Sequence, residues 1–589
     1  MRGYWITCIL LVFGVCVAGR AEAQGVGVGL QPPIQEVVVN GVDTTSGYLV
    51  YGQTDLSLGQ PSSPNFMQLD RITRSSALGV SGYPSFGVWE HNYKFYVVSA
   101  GPAGSGMIDA DVVLGQEVHS FRLTSGTYVN LRGDGSTLEQ MTTGPNTFIF
   151  TSKDGDVTTF STTVCSYVTY CYYATSTQRR DGSRLYFAYE LAGYIYSGNV
   201  EPVSRLKWVT NSFGYGFRFN YRDNGSTGVT NQSRLTLASV EGVKTLCPQT
   251  PTTCTASTLS TANYSYTGGQ LTAVNAAGIS RTFTYDTWSG LLRSPFQASY
   301  PTTPEFVVEY ASPPWGYGYL PLTPTVAKKT DSRGYATTYA WVMEPDGHVT
   351  YKATNAVGAT TSYQQFGMNL DDDSDRPQAR LLSKVTNPEN GVVAMEYDTF
   401  ARVQKVTLPE GNYTLISYDD RGNILSTTQV AKPSAPAPAI ISTASYPSSC
   451  TPSTMKTCNK TSYTIDPNNY RRSYTWSSLT GGPESGTAGL NAAGTCALSV
   501  GVCPQTTTAY GAFTATDGAT VYLQTSVTTK IDASSSTVTA FDYSSAKALA
   551  NNKSVVDVGG TNLVTCFGYD DVGNQISKTL PRAGVTTCP

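Results

Sequence analysis

A segment of about 20 residues that occurs twice in succession constrains the fold of this chain more than any other sequence feature. The two copies occupy 391–410 and 411–428 and read GVVAMEYDTFARVQKVTLPE and GNYTLISYDDRGNILSTT. In each copy an alternating apolar run leads into Tyr-Asp, a turn, and a second alternating run. Period-2 alternation on both sides of a turn predicts a β-hairpin of half-buried strands. A fixed period predicts a repeat architecture in which each unit buries its apolar face against its neighbours.

The turn between the two runs has its own chemistry. Asp419 or Asp420 can accept hydrogen bonds from its own turn backbone, while Gly422 and Asn423 tolerate positive φ. Tyr418 is expected to pack its ring and keep its hydroxyl at a wet edge. Because a catalytic residue is rarely reiterated in every unit, we interpret the repeated residues as structural. The other members of this set are Tyr285, Asp286, Tyr397, Asp398, Tyr569, Asp570, Gly573 and Asn574.

These Tyr-Asp phrases resemble those of the Rhs/YD-repeat family of bacterial surface and toxin-delivery proteins. A second resemblance lies upstream, where Asp55-Leu56 and an arginine-bearing strand with Arg71 and Arg74 precede the run FGVWEHNY, in a manner similar to the domain before the repeats in many Rhs proteins. The residues that carry this signature are Phe86, Gly87, Trp89, His91, Asn92 and Tyr93. The resemblance implies an all-β fold: a YD-repeat hairpin ribbon spiralling into an open or partial shell, preceded by a small β domain.

The expected organisation follows the changes of pattern along the chain. It comprises a signal peptide (1–23), a flexible lead-in (24–50), a pre-repeat β domain (51–180), a YD-repeat ribbon (181–430), a Pro/Ser-rich insertion (431–460) and degenerate repeats (461–589). The family's Asp-Pro-x-Gly core motif and variable toxin tail are not found, so the last segment is expected to be truncated.

Composition excludes some functions. The net charge is -3 and no Lys/Arg cluster stands out, which argues against nucleic-acid binding. Only 14% of residues are charged, well under the roughly 25% of ordinary soluble domains, and 39 tyrosines and 56 glycines supply strand and turn formers.

The N-terminus has the pattern of a secretory signal. Arg2 precedes the apolar run Ile6–Val17, and Ala21-Glu22-Ala23 fits a small-residue cleavage site. The alternatives are a retained anchor, for which the uncharged run is slightly short, and lipidation at Cys16, whose preceding residues lack a lipobox. We therefore expect export to the periplasm, cell surface or exterior, without strong membrane insertion after cleavage.

Cysteine usage agrees with export. Removing Cys8 and Cys16 with the signal leaves an even number of cysteines in close sequential pairs. The spacings, with no nearby His, do not fit zinc ligands, so disulfides are the favoured reading over metal. The candidate pairs are Cys165 with Cys171, Cys247 with Cys254, Cys450 with Cys458, Cys496 with Cys503, and Cys566 with Cys588.

The sequence carries no recognisable catalytic, metal or cofactor motif. His91 could serve as a general base or ligand, but a histidine between aromatic residues on a strand is more often a packing residue. The acidic run at 371–375 lacks the oxygen spacing and closing glutamate of a calcium loop. No enzyme activity and no cofactor are therefore expected.

The resemblance implies a non-catalytic scaffold or shell segment of an Rhs-like system that encapsulates or delivers a toxin in intercellular competition. Its partner would be a downstream Rhs core or toxin polypeptide. The alternative is a secreted or surface adhesin that binds cell-envelope polysaccharide through the repeat tyrosines, because exposed aromatic rings can stack on sugars.

Overall fold

The protein is described by a computed structural model. It describes residues 38–61, 63–74, 89–99, 109–115, 117–141, 147–162, 170–196, 199–222, 236–276, 278–312, 324–344, 348–366, 381–465, 470–498, 502–530, 536–545, 549–558, 560–581 and 587–588. The predicted signal peptide, the lead-in before residue 38, Phe86, Gly87 and the acidic run at 371–375 lie outside these residues.

The described chain is all-β, as predicted, and consists of long antiparallel sheets. It contains one 3₁₀ turn, Met455–Thr457, and no α-helix among the described residues. None of these residues belongs to a helix that is long and apolar enough to cross a membrane.

Two small sheets precede the ribbon. A two-stranded sheet pairs β1 (Val38–Val39) with β2 (Val42–Asp43). A three-stranded antiparallel sheet has the order β3 (Val50–Leu58), β4 (Met67–Arg74) and β5 (Trp89–His91).

The first ribbon is a 16-stranded antiparallel sheet. Its strands are β6 (Phe95–Ser99), β7 (Asp109–Leu114), β8 (Glu117–Thr124), β9 (Thr127–Asn130), β10 (Thr137–Met141), β11 (Thr147–Thr151), β12 (Val157–Thr162), β13 (Tyr170–Gln178), β14 (Arg184–Tyr196), β15 (Asn199–Asn211), β16 (Tyr215–Tyr221), β17 (Leu237–Lys244), β18 (Ser257–Thr267), β19 (Gln270–Ala276), β20 (Ile279–Tyr285) and β21 (Leu292–Gln297). The sheet branches at β13, which pairs with β6, β12 and β14.

The second ribbon is a 20-stranded antiparallel sheet in which every strand pairs with its sequence neighbours. Its strands are β22 (Phe306–Ala311), β23 (Thr325–Asp331), β24 (Ala336–Met343), β25 (Val349–Thr354), β26 (Thr360–Gln365), β27 (Leu382–Thr386), β28 (Val392–Tyr397), β29 (Val403–Thr407), β30 (Tyr413–Tyr418), β31 (Ile424–Val430), β32 (Ile440–Ser445), β33 (Ser462–Ile465), β34 (Tyr470–Trp476), β35 (Pro483–Leu490), β36 (Gln505–Thr514), β37 (Thr520–Lys530), β38 (Ser536–Ser544), β39 (Ala550–Val558), β40 (Thr561–Tyr569) and β41 (Gln575–Lys578).

The hydrophobic core includes residues of both ribbons, and part of it lies where the three-stranded sheet packs on the first ribbon. Alternate residues of β16 point inward, and Phe217 and Phe219 are fully buried. Their rings lie 5.7 Å from Tyr93 and 5.2 Å from His91, measured between centroids. The alternation expected for a half-buried strand therefore places one face of the ribbon against the small sheet.

The turns of the second ribbon lie against the turns of the first. Backbone amides of the second ribbon donate to carbonyls of the first: Asp517 to Ser212 O at 3.1 Å and Tyr522 to Asp181 O at 2.9 Å. We call this line of contacts the seam. It joins the turns at 131–136, 152–156, 179–183 and 211–214 to those at 398–402, 419–423, 455–458, 477–482 and 515–520. The ribbon thus winds back upon itself.

Candidate functional site

Each predicted repeat tyrosine lies at a β-bulge near the end of its strand. The register shifts immediately before Tyr285, Tyr397, Tyr418 and Tyr569. A bulge bends the strand and re-aims the side chain that follows it. The tyrosine ring therefore leans back over the preceding strand of the sheet.

The tyrosine hydroxyl then bonds to the backbone of that preceding strand. Tyr397 donates to Leu382 O at 2.6 Å, and Tyr418 donates to Val403 O at 2.7 Å. The same bond joins Tyr285 to Leu271 O at 2.6 Å and Tyr569 to Asn551 O at 2.7 Å. The hydroxyl is thus used to tie each hairpin to the one before it, rather than left at the wet edge that the sequence suggested.

The same tie occurs in units that carry no Tyr-Asp pair. Tyr310 donates to Leu292 O at 2.6 Å and Tyr543 to Gln524 O at 2.7 Å. Trp476 uses its indole Nε1 in the same way, donating to Lys460 O at 2.7 Å. Sequence reasoning missed these residues because no aspartate follows them. The signal present was an aromatic residue at the end of an alternating run.

The repeated aspartate organises the turn. The Asp419 Oδ1 accepts from the backbone amides of Arg421 at 3.0 Å and Asn423 at 2.7 Å. Asp398 does the same for Phe400 and Arg402, each at 2.9 Å. Two amides on one carboxylate oxygen fix a tight turn of the Asx type.

The other repeat positions agree with this turn. Gly422 and Gly573 adopt φ of +70° and +87°, and the Asn574 side chain donates to Asp570 Oδ2 at 3.1 Å. The Asn423 side chain donates to Asp419 Oδ2 at 2.7 Å. In the first copy of the tandem, Ala401 occupies the left-handed position with φ of +62°.

The electrostatics of the repeat agree with a structural role. Burial raises the pKa of Tyr285, Tyr397 and Tyr418 to about 12, so these phenols are neutral at pH 7. The pKa of Asp286 lies below its ordinary value, chiefly because the Ser289 amide donates to it. Neutral phenols donate hydrogen bonds to strand carbonyls here, and the carboxylates accept hydrogen bonds from turn amides.

The upstream signature residues converge on a buried ion pair. Arg71 Nε lies 3.0 Å from Asp55 Oδ2, and both side chains are almost fully buried. The Tyr264 hydroxyl, from the ribbon, donates to the same oxygen at 3.0 Å. The Arg71 guanidinium stands 4.3 Å from the centroid of Trp89, whose Nε1 donates to the Tyr285 hydroxyl at 2.9 Å. The small sheet is thereby locked to the ribbon at a repeat tyrosine.

The remaining signature residues also pack or bond within the core. Burial lowers the pKa of His91 to about 3, so its ring is neutral at physiological pH. Its Nδ1 accepts from the Tyr93 amide at 3.2 Å. Asn92 extends the pairing of β5 by donating to Gln68 O at 2.9 Å and accepting from the Asp70 amide at 3.0 Å. These contacts support the packing interpretation of His91.

Four of the five predicted cysteine pairs stand at disulfide distance. Their Cα–Cα separations are 5.8 Å between Cys247 and Cys254, 6.0 Å between Cys450 and Cys458, 5.4 Å between Cys496 and Cys503, and 5.4 Å between Cys566 and Cys588. Each pair closes a short loop of its own, in the chain order that the sequence predicted.

The structure describes the fifth predicted pair, Cys165 with Cys171, only in part. Cys165 lies outside the described residues, and Cys171 is described by its backbone alone, which pairs with Val98 in the first ribbon. The bond between Cys165 and Cys171 therefore stays a prediction. Across the described part of the chain, no group of three or more His, Cys, Asp or Glu could hold a metal ion.

The seam is the largest feature that sequence reasoning missed. Side-chain bonds cross it between residues 268 to 331 positions apart, for example from Arg402 to Gly133 O at 3.5 Å and from Tyr186 to Asp517 Oδ2 at 2.8 Å. The turn glycines approach backbone so closely that a Cβ on Gly422 would collide with Gly133 O. No local sequence pattern reports contacts of this length.

A polar cleft opens at the seam. Its volume is about 380 Å³, and both ribbons contribute walls. The lining side chains with polar groups include Gln178, Arg184, Gln249, Lys456, Asp517 and Tyr522.

Comparisons with known proteins give remote likenesses only. No protein-family model and no curated protein matches the chain. A structure of the Tc holotoxin pore of Photorhabdus luminescens is similar at 11% identity and a TM-score of 0.33, over 90% of this chain and 27% of that chain. A TcdB2–TccC3 structure is similar at 12% identity and a TM-score of 0.27, over 79% of this chain and 25% of that one. The chain thus spans about a quarter of these structures, and likenesses this remote assign it neither a family nor an activity.

Proposed function

We propose that the chain is a non-catalytic, exported β-scaffold: a wall segment of an Rhs-like system that encloses or delivers a toxin in intercellular competition. The observation that carries the proposal is the use made of the repeat residues. Tyr418 ties neighbouring hairpins and Asp419 fixes their turn. The side chains that recur most regularly in the sequence thus hold neighbouring hairpins together in a continuous sheet.

The seam supports the same role. The seam joins successive passes of the ribbon along the rows of turns at their strand ends, and passes that were not joined there would leave a gap between them. Here the joint is made by contacts such as the one from the Tyr522 amide to Asp181 O at 2.9 Å. A wall joined in this way needs no catalytic residue of its own.

The cysteine pairs support export. Four pairs at bonding distance in a chain of this size are typical of proteins that function in an oxidising compartment. The proposed partner is a polypeptide bearing the core motif and a toxin tail.

The test begins with the DNA that follows the codon for Pro589, read in all three frames, and the polypeptide it encodes. That polypeptide is co-expressed with the secreted chain, and its digestion by an added protease is followed over time. We expect the chain to slow the digestion, and we expect Gly422→Ala, which disturbs the seam, to remove more of the protection than Gly358→Ala, whose turn is open to solvent. A purified chain with a hydrolase or nuclease activity that one point mutation abolishes would refute the non-catalytic role.

The second candidate is an adhesin that binds envelope polysaccharide through the repeat tyrosines. The repeat geometry gives this version limited support, because Tyr397 is 7% exposed and its hydroxyl is already bonded. Retention on a glycan array that falls when Tyr397 and Tyr418 are replaced by Ala would favour it over the scaffold.

A further inference from the structure

The cleft at the seam is lined by polar side chains from both ribbons. Its two walls come from opposite passes of the ribbon: Arg184 lies at the start of β14, and Tyr522 lies in β37. A volume of about 380 Å³ falls at the lower end of the range for small-ligand pockets, roughly 300–1,000 Å³. The space suits a ligand of one or two sugar rings in size.

The floor of the cleft is held by hydrogen bonds that cross the seam. Asp517 Oδ2 accepts from the Tyr186 hydroxyl at 2.8 Å and from the Ser212 hydroxyl at 2.7 Å. The Gln249 side chain donates to Asp517 O at 3.0 Å. The walls are therefore positioned before any ligand arrives, which reduces the ordering that binding requires.

The charges in the cleft favour a single negative charge on the ligand. Arg184 and Lys456 are cationic, and Asp517 offsets one of them, so the lining carries a net charge of about +1 at pH 7. Lys456 donates from Nζ to Leu479 O at 3.2 Å, which uses one of the three donors of its ammonium group. A carboxylate matches this balance better than a phosphate, whose charge at pH 7 approaches −2.

The remaining lining groups suit hydroxyls. Gln178 and Gln249 carry amides that can donate and accept, and the half-buried ring of Tyr522 supplies a flat apolar surface beside them.

We propose that the cleft binds a carboxylate-bearing sugar, such as a uronic acid residue of an acidic polysaccharide. Arg184 and Lys456 would hold the carboxylate from opposite sides of the seam, and the amides would take the hydroxyls. The proposal goes beyond the scaffold role and does not depend on the cargo, so the protease-protection experiment and the binding experiment can fail separately.

The test is isothermal titration calorimetry on the secreted chain at low salt with glucuronate and a short oligogalacturonate. Glucose, inorganic phosphate and an acidic peptide are titrated in parallel. We expect the acidic sugars to bind at least tenfold more tightly than glucose, because charge-assisted hydrogen bonds are the stronger class. Arg184→Gln and Lys456→Gln should each weaken binding by about tenfold or more. The matched control is Arg333→Gln, which removes a 77% exposed cation far along the second ribbon and should change nothing.

Three results would overturn the proposal. Equal affinity for glucose and glucuronate, or no heat with either, would show that Arg184 and Lys456 do not bind the carboxylate. Tighter binding of phosphate would assign the cleft to phosphorylated ligands, and binding of the acidic peptide alone would make it a protein-docking site. Melting curves of the variants separate lost binding from lost folding. Because Arg184 and Lys456 lie on different ribbons, either variant that stays folded decides the question.

Discussion

Adding one methyl group at a turn of the seam should weaken the wall far more than adding it at an equivalent free turn. Gly422 and Gly358 occupy the same place in the same kind of turn. Each amide donates back to the residue that opens the turn, Asp419 or Asn355, at 3.1 and 3.0 Å. Their φ angles, +70° and +82°, are both left-handed. The two glycines differ in surroundings: a Cβ on Gly422 would collide with Gly133 O, whereas one on Gly358 would meet no atom within 4 Å.

The magnitudes follow from this difference. Alanine in the left-handed region costs about 1–2 kcal/mol, and both variants carry that penalty. Only Gly422→Ala adds the overpacking, typically about 1–3 kcal/mol. The group it meets is a backbone oxygen, so relief requires the seam itself to separate. We therefore expect Gly422→Ala to lose about 1–3 kcal/mol more of the free energy of unfolding than Gly358→Ala.

The assay pairs urea unfolding with hydrogen exchange, because a chain of this size need not unfold in one step. Exchange in peptides that cover 131–136, the opposite side of the seam, should accelerate in Gly422→Ala and remain unchanged in Gly358→Ala. Equal destabilisation of the two variants, with unchanged exchange at 131–136 in both, would refute the reasoning that the seam is a tight joint.

Three further predictions concern the hydrogen bond of a repeat tyrosine, the titration of His119, and the contact of Trp89 with the first ribbon. Tyr397→Phe should lower the free energy of unfolding by about 1–2 kcal/mol, since a buried carbonyl loses its donor, whereas Tyr335→Phe, at a 59% exposed ring, should have no effect in the same urea titration. His119 lies in β8, with its Nδ1 2.8 Å from Asp134 Oδ2. Burial alone would lower the pKa of His119, but hydrogen bonds to Asp134 and Glu117 outweigh the effect of burial and raise the pKa to about 9. The stabilisation from His119 is thus complete below about pH 6.5 and lost as the pH rises through 9, and melting curves of His119→Gln should lack this dependence. Trp89→Phe should destabilise by about 1–3 kcal/mol through the lost indole bond and weaker arginine contact, while Trp288→Phe, 62% exposed, should be neutral in thermal melts.

The parts of this fold that the sequence predicts are those whose causes are local. Alternating runs on either side of Tyr418 and Asp419 define a hairpin because side-chain alternation and turn chemistry act within a few residues. The aspartate turn and the positive φ of Gly422 were predicted for the same reason. The fate of the tyrosine hydroxyl was not, since it depends on a one-residue bulge that the period alone does not reveal.

Contacts between distant segments escape the sequence for a physical reason. The upstream signature suggested Asp55, Arg71 and Trp89 as a group, but nothing in the pattern showed that Tyr264 and Tyr285 of the ribbon would join them. The seam is harder still, because it is made by backbone amides and carbonyls, turn glycines and polar side chains. Such groups impose no apolar periodicity and leave only turn residues, which any hairpin would also require.

The contacts that hold the ribbon together can persist in units whose Tyr-Asp sequence is not kept. The seam requires close backbone approach at each turn. The pairing of neighbouring hairpins requires in each unit an aromatic donor that reaches a carbonyl oxygen of the preceding strand. Trp476 meets the second requirement with an indole, and Ala401 occupies the left-handed position without glycine. A bulge precedes Tyr543 as it precedes the tyrosines of the Tyr-Asp pairs, so a unit that lacks the following aspartate keeps the local bend that a bulge gives its strand. A unit can therefore lose its Tyr-Asp pair and still be tied to its neighbour, as the unit that contains Trp476 is.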